Sequence, residues 1–272
     1  VSRPPKPRVS RYIAVPSSLF REVGEPLRTL YVGLLARAAA IYRVEEILVY
    51  EEGGVSPSYI AGVLRYLRTP QYMRRRLFPR SRALRYVGVT PPLATPNHPL
   101  SGEDVEYREG VVVDTRGGWL YVDAGLGSPI RVRGSGRRGD VVLLRREGEG
   151  WVLHGGRPPG YWCYEVVVAR GLGGAIEYFR GRGSLLVATS RKGVDIREVG
   201  GEVAAAAEEK GSIAMFYGLW ARGLYEVASR EGFSLEDEVD YVVNFIPGQG
   251  TRTVRTVEAV HASLAIVNIL VG

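Results

Sequence analysis

The sequence predicts an α/β protein with a small β-barrel set into it, and three observations carry that prediction. Apolar, strand-like runs alternate with helix-period stretches at both ends of the chain. The middle holds only short strand-like runs between glycine-rich turns. Two proline-rich passages mark the changes of texture. With 272 residues and 45% apolar content, the chain has enough apolar mass for a packed core.

Tyr12 to Val15 reads as a short strand, and Pro26 opens a helix whose apolar positions Leu27, Leu30, Tyr31, Leu34, Leu35 and Ala38 follow the helical period. Glu46 to Tyr50 reads as the next strand, so strand, helix and strand begin a sheet of parallel order. Ser58 to Leu67 looks helical, and PPLATPNHPLSG closes this first segment. GVVVD, WLYVD, PIRVR, DVVLLRR and WVLH then follow at roughly ten-residue spacing, which suggests a barrel of OB type. After GGRPPG the runs YEVVVA, SLLVATS, SIAMFYG and DYVVNFI read as strands, with EVAAAAEEKG among the helices between them and an apolar helix last. The α/β domain is therefore expected to be discontinuous, residues 1–95 and 156–272, with residues 101–155 as the inserted barrel.

No apolar run approaches the roughly 18 residues of a membrane span, and VSRPPKPRVSR lacks the apolar core of a signal peptide, so a cytoplasmic location with no membrane partner is expected. The single Cys163 makes no internal disulfide, and His98, His154 and His261 show no zinc-ligand spacing, so no metal is expected. The formal charge of +7 predicts a polyanionic partner if the cations cluster. They do. From Gly53 to Gly102 there is no acidic residue, yet Arg65, Arg68, Arg74, Arg75, Arg76, Arg80, Arg82 and Arg85 fall there with tyrosines interleaved. Arg65, Arg68, Arg74, Arg75 and Arg76 are the expected contacts to that polyanion; a solvated basic helix face is the alternative.

Gly134-Ser135-Gly136-Arg137-Arg138-Gly139 spells a dinucleotide fingerprint, but the strand-like DVVLLRR follows it where a helix is required, so a barrel hairpin loop is the better reading. Gly248 and Gly250 lack the lysine of a P-loop. Three other loops sit at the carboxyl ends of expected strands: ATSRKG, YGLWARG and PGQGT. Ligands of open α/β sheets bind there, and glycines let the backbone approach them, so the three are expected to line one pocket.

The C-terminal third resembles the SPOUT class of methyltransferases, in which the chain is tucked into a trefoil knot. More narrowly, SRYIAVPSSLF, VGLLARAAAIYRVEEILVY, TPQYMRRRLFP, PPLATPNHP and NFIPGQGTRTVRTVEA resemble the archaeal and eukaryotic RNA methyltransferase family that carries an OB-like insert. The chain departs from that family's pattern at Asn97-His98, where two histidines are usual, and at Val257, where an acidic residue is. The resemblance implies a knotted α/β domain, S-adenosyl-L-methionine as cofactor, RNA as partner and a homodimer formed through the knot and the last helix. It implies that Thr189, Gly218, Ile246, Gly248, Gln249, Gly250, Thr251 and Thr256 hold the cofactor, and that the barrel binds RNA. It also points to a base nitrogen of ribosomal RNA, with uridine N3 leading. A non-catalytic RNA-binding protein and a protein methyltransferase are the rival readings.

Arg252 and Arg255 are catalytic candidates that grip phosphate or orient a base, unless they pair with Glu258. His98 is a candidate base or substrate contact, with a plain loop histidine as the alternative. His261 on the apolar last helix reads as structural, and Cys163, without an activating neighbour, as core.

Overall fold

The computed structural model describes residues 4–100 and 102–272; residues 1–3 and Ser101, on which two of the expected domain boundaries fall, lie outside the described residues. Six strands form one parallel sheet: β1 (Ser10–Pro16), β2 (Glu46–Tyr50), β8 (Glu165–Ala169), β9 (Leu185–Asp195), β10 (Ser212–Phe216) and β11 (Tyr241–Asn244), in the order β11-β9-β10-β1-β2-β8. β1, β2 and β10 are buried along their whole length, which is why they read as apolar runs after the polar residues Ser10, Arg11, Glu46 and Ser212 that begin them.

Alternation along each strand divides the core in two. Ile13 and Val15 face α1 (Leu27–Ile41), α2 (Ser58–Arg68), α5 (Ile196–Lys210) and α8 (Thr256–Leu270), whereas Tyr12 and Ala14 face α4 (Gly171–Arg180), α6 (Leu224–Glu231) and α7 (Leu235–Glu238). The buried face of α1 keeps Leu35 and Ala38 of the expected set, with Tyr31 and Leu34 at its border, and extends to the small residues beside them. Val32, Leu35, Ala36, Ala39 and Ala40 lie inside, while Leu27 is 51% exposed. Small alanines let this helix approach its neighbours closely, and Leu27 in its first turn is left outside.

The strand β9 is longer than the sequence suggests, because residues expected as the loop ATSRKG continue it. Its pairing with β11 jumps from Ala188 opposite Val242 to Val194 opposite Val243, so residues 189–193 bulge out of the ladder. Gly193 makes this possible: a Cβ there would lie 2.5 Å from the Val242 carbonyl oxygen.

Between α3 (Gln71–Leu77) and β8 the chain forms a second, antiparallel sheet from β3 (Tyr107–Arg116), β4 (Trp119–Asp123), β5 (Ile130–Arg133), β6 (Val141–Glu147) and β7 (Gly150–Leu153), in the order β5-β4-β3-β6-β7. The two edges curl together, so that a Cβ on Gly134 just after β5 would meet Leu153 of β7 at 2.3 Å. Val112, Leu120, Val122, Val132 and Leu144 fill the resulting OB-like barrel. The glycine run 134–139 is a barrel loop as expected, but not a hairpin: β5 and β6 are separated by β4 and β3, and the loop crosses the barrel end.

From β11, at one edge, the chain returns across the carboxyl ends of β9 and β10. Arg191 Nη1 donates to Arg252 O at 2.9 Å and Thr256 Oγ1 to Gly218 O at 2.9 Å before α8 packs on α1 and α5. This tucked return is the path that the SPOUT resemblance implies.

Candidate active site

The loops after β10 and β11 and the bulge of β9 meet at the carboxyl end of the sheet and enclose a cavity of about 360 Å³. Leu219, Val243, Phe245 and Ile246 supply apolar wall, and Arg191, Lys192 and Arg252 stand against Glu226 among the charged residues lining it. The floor is held by polar groups that already have partners. Tyr217 N donates to Ala14 O at 2.9 Å, its hydroxyl meets Ser263 Oγ at 2.7 Å, and Thr189 Oγ1 donates to Phe216 O at 2.8 Å. Burial holds the Tyr217 phenol well above the usual tyrosine range, so this hydroxyl stays protonated.

Local sequence chemistry shapes each wall. Gly218 lies where a side chain has no room: its Cβ would stand 2.8 Å from Leu224 N and 3.1 Å from Gly223 C. Asn244 Oδ1 accepts from Ile246 N at 3.0 Å and turns the chain out of β11. Gly248 then takes φ of +68°, a conformation that favours glycine. Gln249 Nε2 donates to Thr251 O at 2.8 Å and Thr251 Oγ1 to Thr253 O at 3.0 Å, so the loop is braced from within. Glu258 accepts from Arg255 N at 2.7 Å and starts α8.

Of the residues expected at a cofactor, Thr189, Gly218, Ile246, Gln249 and Thr256 line the cavity. Gly248, Gly250 and Thr251 belong to the same loop but do not line it; Thr251 is turned toward Thr253, and a Cβ on either glycine would meet open space. Crowding therefore requires glycine at 218, not at 248 or 250. Sequence reading placed Tyr217 and Trp220 in a pocket loop without singling them out, and it missed Asn244, Phe245 and Ser263. A signal for Ser263 existed: Thr256, Ala259 and Ser263 fall at i, i+3 and i+7, one face of α8.

The catalytic candidates separate. Arg252 lines the cavity. Arg255 does not pair with Glu258 through its side chain; its guanidinium donates to the Tyr31 hydroxyl of α1 and lies 5.0 Å from that ring. His98 is not brought to the cavity. Its Nδ1 meets Thr95 Oγ1 at 2.8 Å and its Nε2 meets Leu67 O at 3.1 Å, at the junction of α2 with the chain entering the barrel. Burial, followed by the nearby Arg74 charge, lowers its pKa to about 4, so the ring is neutral at pH 7 and serves as a joint. Cys163 is buried beside it, and burial raises the thiol to about 11. His261 packs edge-on to Tyr42 at 5.9 Å.

The arginine cluster also divides. Arg68 pairs with Glu109 and Glu165, each at 3.2 Å, and Glu109 accepts from Trp162 Nε1 at 2.8 Å. Arg74 donates to the carbonyls of Thr69 and Leu67 at 2.8 and 3.0 Å. Arg76 binds Asp123 of the barrel at 2.6 Å, and Arg65 donates to Val166 O at 3.2 Å. Three of the five expected RNA contacts, Arg65, Arg68 and Arg76, thus tie α2 and α3 to the rest of the chain, and a fourth, Arg74, ties α3 to the end of α2. Arg75 is exposed and lies between two surface grooves, with Arg80 and Arg85 along the second.

Among the described residues, no cluster of three or more His, Cys, Asp or Glu is placed to hold a metal, and no helix is long and apolar enough to cross a membrane.

Residues 10–267 match the family described as "Putative RNA methyltransferase". The chain is 31% identical over 291 residues to a 28S rRNA (uridine-N(3))-methyltransferase of Homo sapiens, covering 93% of this chain and 76% of that protein. It is 30% identical over 299 residues to the protein of the same name from Drosophila melanogaster, covering 93% of this chain and 60% of that one. Among solved structures, a SpoU methyltransferase from Streptomyces viridochromogenes in complex with the cofactor AdoMet aligns with a TM-score of 0.41 and 11% identity, over 98% of this chain and 59% of that one. The family match runs from β1 into the last turn of α8, and the chain belongs to that RNA methyltransferase family.

Proposed function

We propose that this protein methylates N3 of a uridine in ribosomal RNA, with S-adenosylmethionine held in the cavity at the carboxyl ends of β9, β10 and β11. The observation that carries the reading is the cavity itself. Its size suits a cofactor of this class, its apolar wall suits an adenine ring, and the glycine at 218 clears backbone for close approach. Support for uridine N3 comes from the names of the human and Drosophila relatives.

The bound cofactor would supply a methyl group on a sulfonium, so the protein's tasks are in-line positioning and the protonation state of the acceptor. Thr189, Gly218, Ile246, Gln249 and Thr256 would hold the cofactor. Uridine N3 must give up its proton, which would pass to solvent water, and Arg191, Lys192 and Arg252 at the cavity would stabilise the negative charge that develops on the imide. Arg75, Arg80 and Arg85 offer cations to the RNA backbone away from the cavity.

A second copy of the chain would complete the assembly. Ile41 at the end of α1 and Ile269 at the end of α8 are 48% and 82% exposed, and Asn268 accepts from Arg43 at 3.1 Å, so the two isoleucines border one surface. An rRNA substrate and the unpaired Cys163 fit a cytoplasmic location. The deciding experiment incubates the protein with labelled S-adenosylmethionine and ribosomal RNA and maps the product nucleotide. Label on uridine N3 is expected; label on a ribose oxygen, or none, would refute the assignment.

A further inference from the structure

We propose that Trp220 is the platform on which the target base stacks once it has left its RNA helix, a reading that rests on the methyltransferase assignment of the adjoining cavity. The indole borders that cavity and is 50% exposed, whereas Phe216 and Tyr217, just before it in the chain, are 0% and 1% exposed. Its orientation is set from two sides. Nε1 donates to Glu22 Oε1 at 3.0 Å, in the segment that follows β1. The turn that carries the ring is closed by Leu219 N donating to Arg222 O at 3.0 Å. Arg222 Nη1 in turn pairs at 3.3 Å with Glu52, a carboxylate 3% exposed at the end of β2 that also accepts from Ser18 Oγ. Two carboxylates, Glu22 from the segment after β1 and Glu52 just after β2, therefore brace a turn that presents its largest apolar side chain outward.

The chemistry asks for such a surface. N3 lies on the Watson–Crick edge of uracil, and an enzyme reaches that edge in a structured RNA by extruding the nucleotide and holding its base against aromatic or apolar groups. Indole offers the broadest π-face of any side chain, and a ring already held by Glu22 loses little freedom when a base settles on it. Arg191, Lys192 and Arg252 line the same cavity and put the positive charge that would stabilise the imide beside the base held on the indole. A second protein copy lying over the same indole is the competing occupant, and the adjoining cavity, with three cations against the single carboxylate of Glu226 among the described residues, favours RNA.

The test uses the whole protein, a ribosomal RNA transcript and labelled S-adenosylmethionine, with Trp220→Ala, Trp220→Leu and Trp220→Phe. Stacking predicts that Ala and Leu raise KM for RNA about 10- to 100-fold, that Phe recovers most of the loss, and that calorimetric cofactor binding and molecular mass stay unchanged in all three. It also predicts that the transcript quenches tryptophan fluorescence in the unmodified protein and that Trp220→Phe removes most of this quenching. An unaltered KM in Ala and Leu, or quenching that survives in Phe, overturns the proposal. Lost cofactor binding would make Trp220 a wall of the cofactor site, and a drop in mass would give the ring to a subunit contact; both overturn it as well. If the unmodified protein binds cofactor but methylates no RNA, the underlying assignment fails, which the wild-type arm shows before any variant is read.

Discussion

At the scale of single residues, the cavity turns on where a Cβ fits. Gly218 faces backbone atoms that have no room to yield, so Gly218→Ala should lower cofactor affinity at least about tenfold and cost roughly 1–3 kcal/mol of stability. Gly250→Ala, in open space, should leave affinity within about twofold. Calorimetric titration of both variants checks the contrast, and equal losses would contradict it. His98 supplies a second test. Its folded pKa, near 4, lies below the value of about 6.5 for the unfolded chain, so between these values the unfolded state binds the extra proton. The stabilisation is complete above about pH 6.5 and is lost as pH falls toward 4, by about 3 kcal/mol at most. Denaturant unfolding across this window should show a shallower pH slope in His98→Gln than in the unmodified protein.

At the scale of elements, α2 and α3 combine two uses of one residue type. Glu109 is buried, and its carboxyl is pushed upward by that burial even with Arg68 beside it. Removing the guanidinium would leave this acid, and its bond from Trp162, without a counter-charge. Arg68→Ala should therefore cost about 3–5 kcal/mol in denaturant unfolding. Arg75 has no such duty: Arg75→Ala should leave stability within about 0.5 kcal/mol and reduce the slope of log affinity for RNA against log salt by about 0.7–0.9. An unchanged slope would remove Arg75 from the RNA surface. Opposite outcomes in neighbouring helices would separate arginines that build the junction from one that meets the substrate.

At the scale of the whole molecule, the open matter is what covers the outer ends of α1 and α8. Leu264 and Val267 of α8 are 0% and 1% exposed inside the single chain, so charging them would unfold the core and say nothing about assembly. Ile41 and Ile269 are the informative pair. Changing both to glutamate should yield a folded monomer, with unaltered circular dichroism and lost methyl transfer, if a second copy packs there. Mass measured by light scattering alongside activity decides the point, and an unmodified protein that is active as a monomer would refute the dimer.

The amino-acid sequence by itself determined the layers. Strands buried on both faces must be apolar at nearly every position, so β2 was legible residue for residue, and the barrel's short alternating runs were equally plain. The SPOUT resemblance and the three loops likewise located the cavity. Tertiary structure alone decided which residues face it and which arginines remain free. The acids that occupy Arg68 and Arg76 come from Glu109, Glu165 and Asp123, far along the chain, so no four-residue spacing within the helices could announce them. His98 looked like a loop residue because its partners, Leu67 and Thr95, reach it only after α2 and the proline-rich passage pack together. Gly218, Gly248 and Gly250 looked alike because a sequence records the absence of a side chain, whereas the need for that absence at 218 is set by atoms the fold brings within 3 Å. Periodicity reports burial and local turn chemistry; partners and cavity walls are non-local, and only the packed chain selects them.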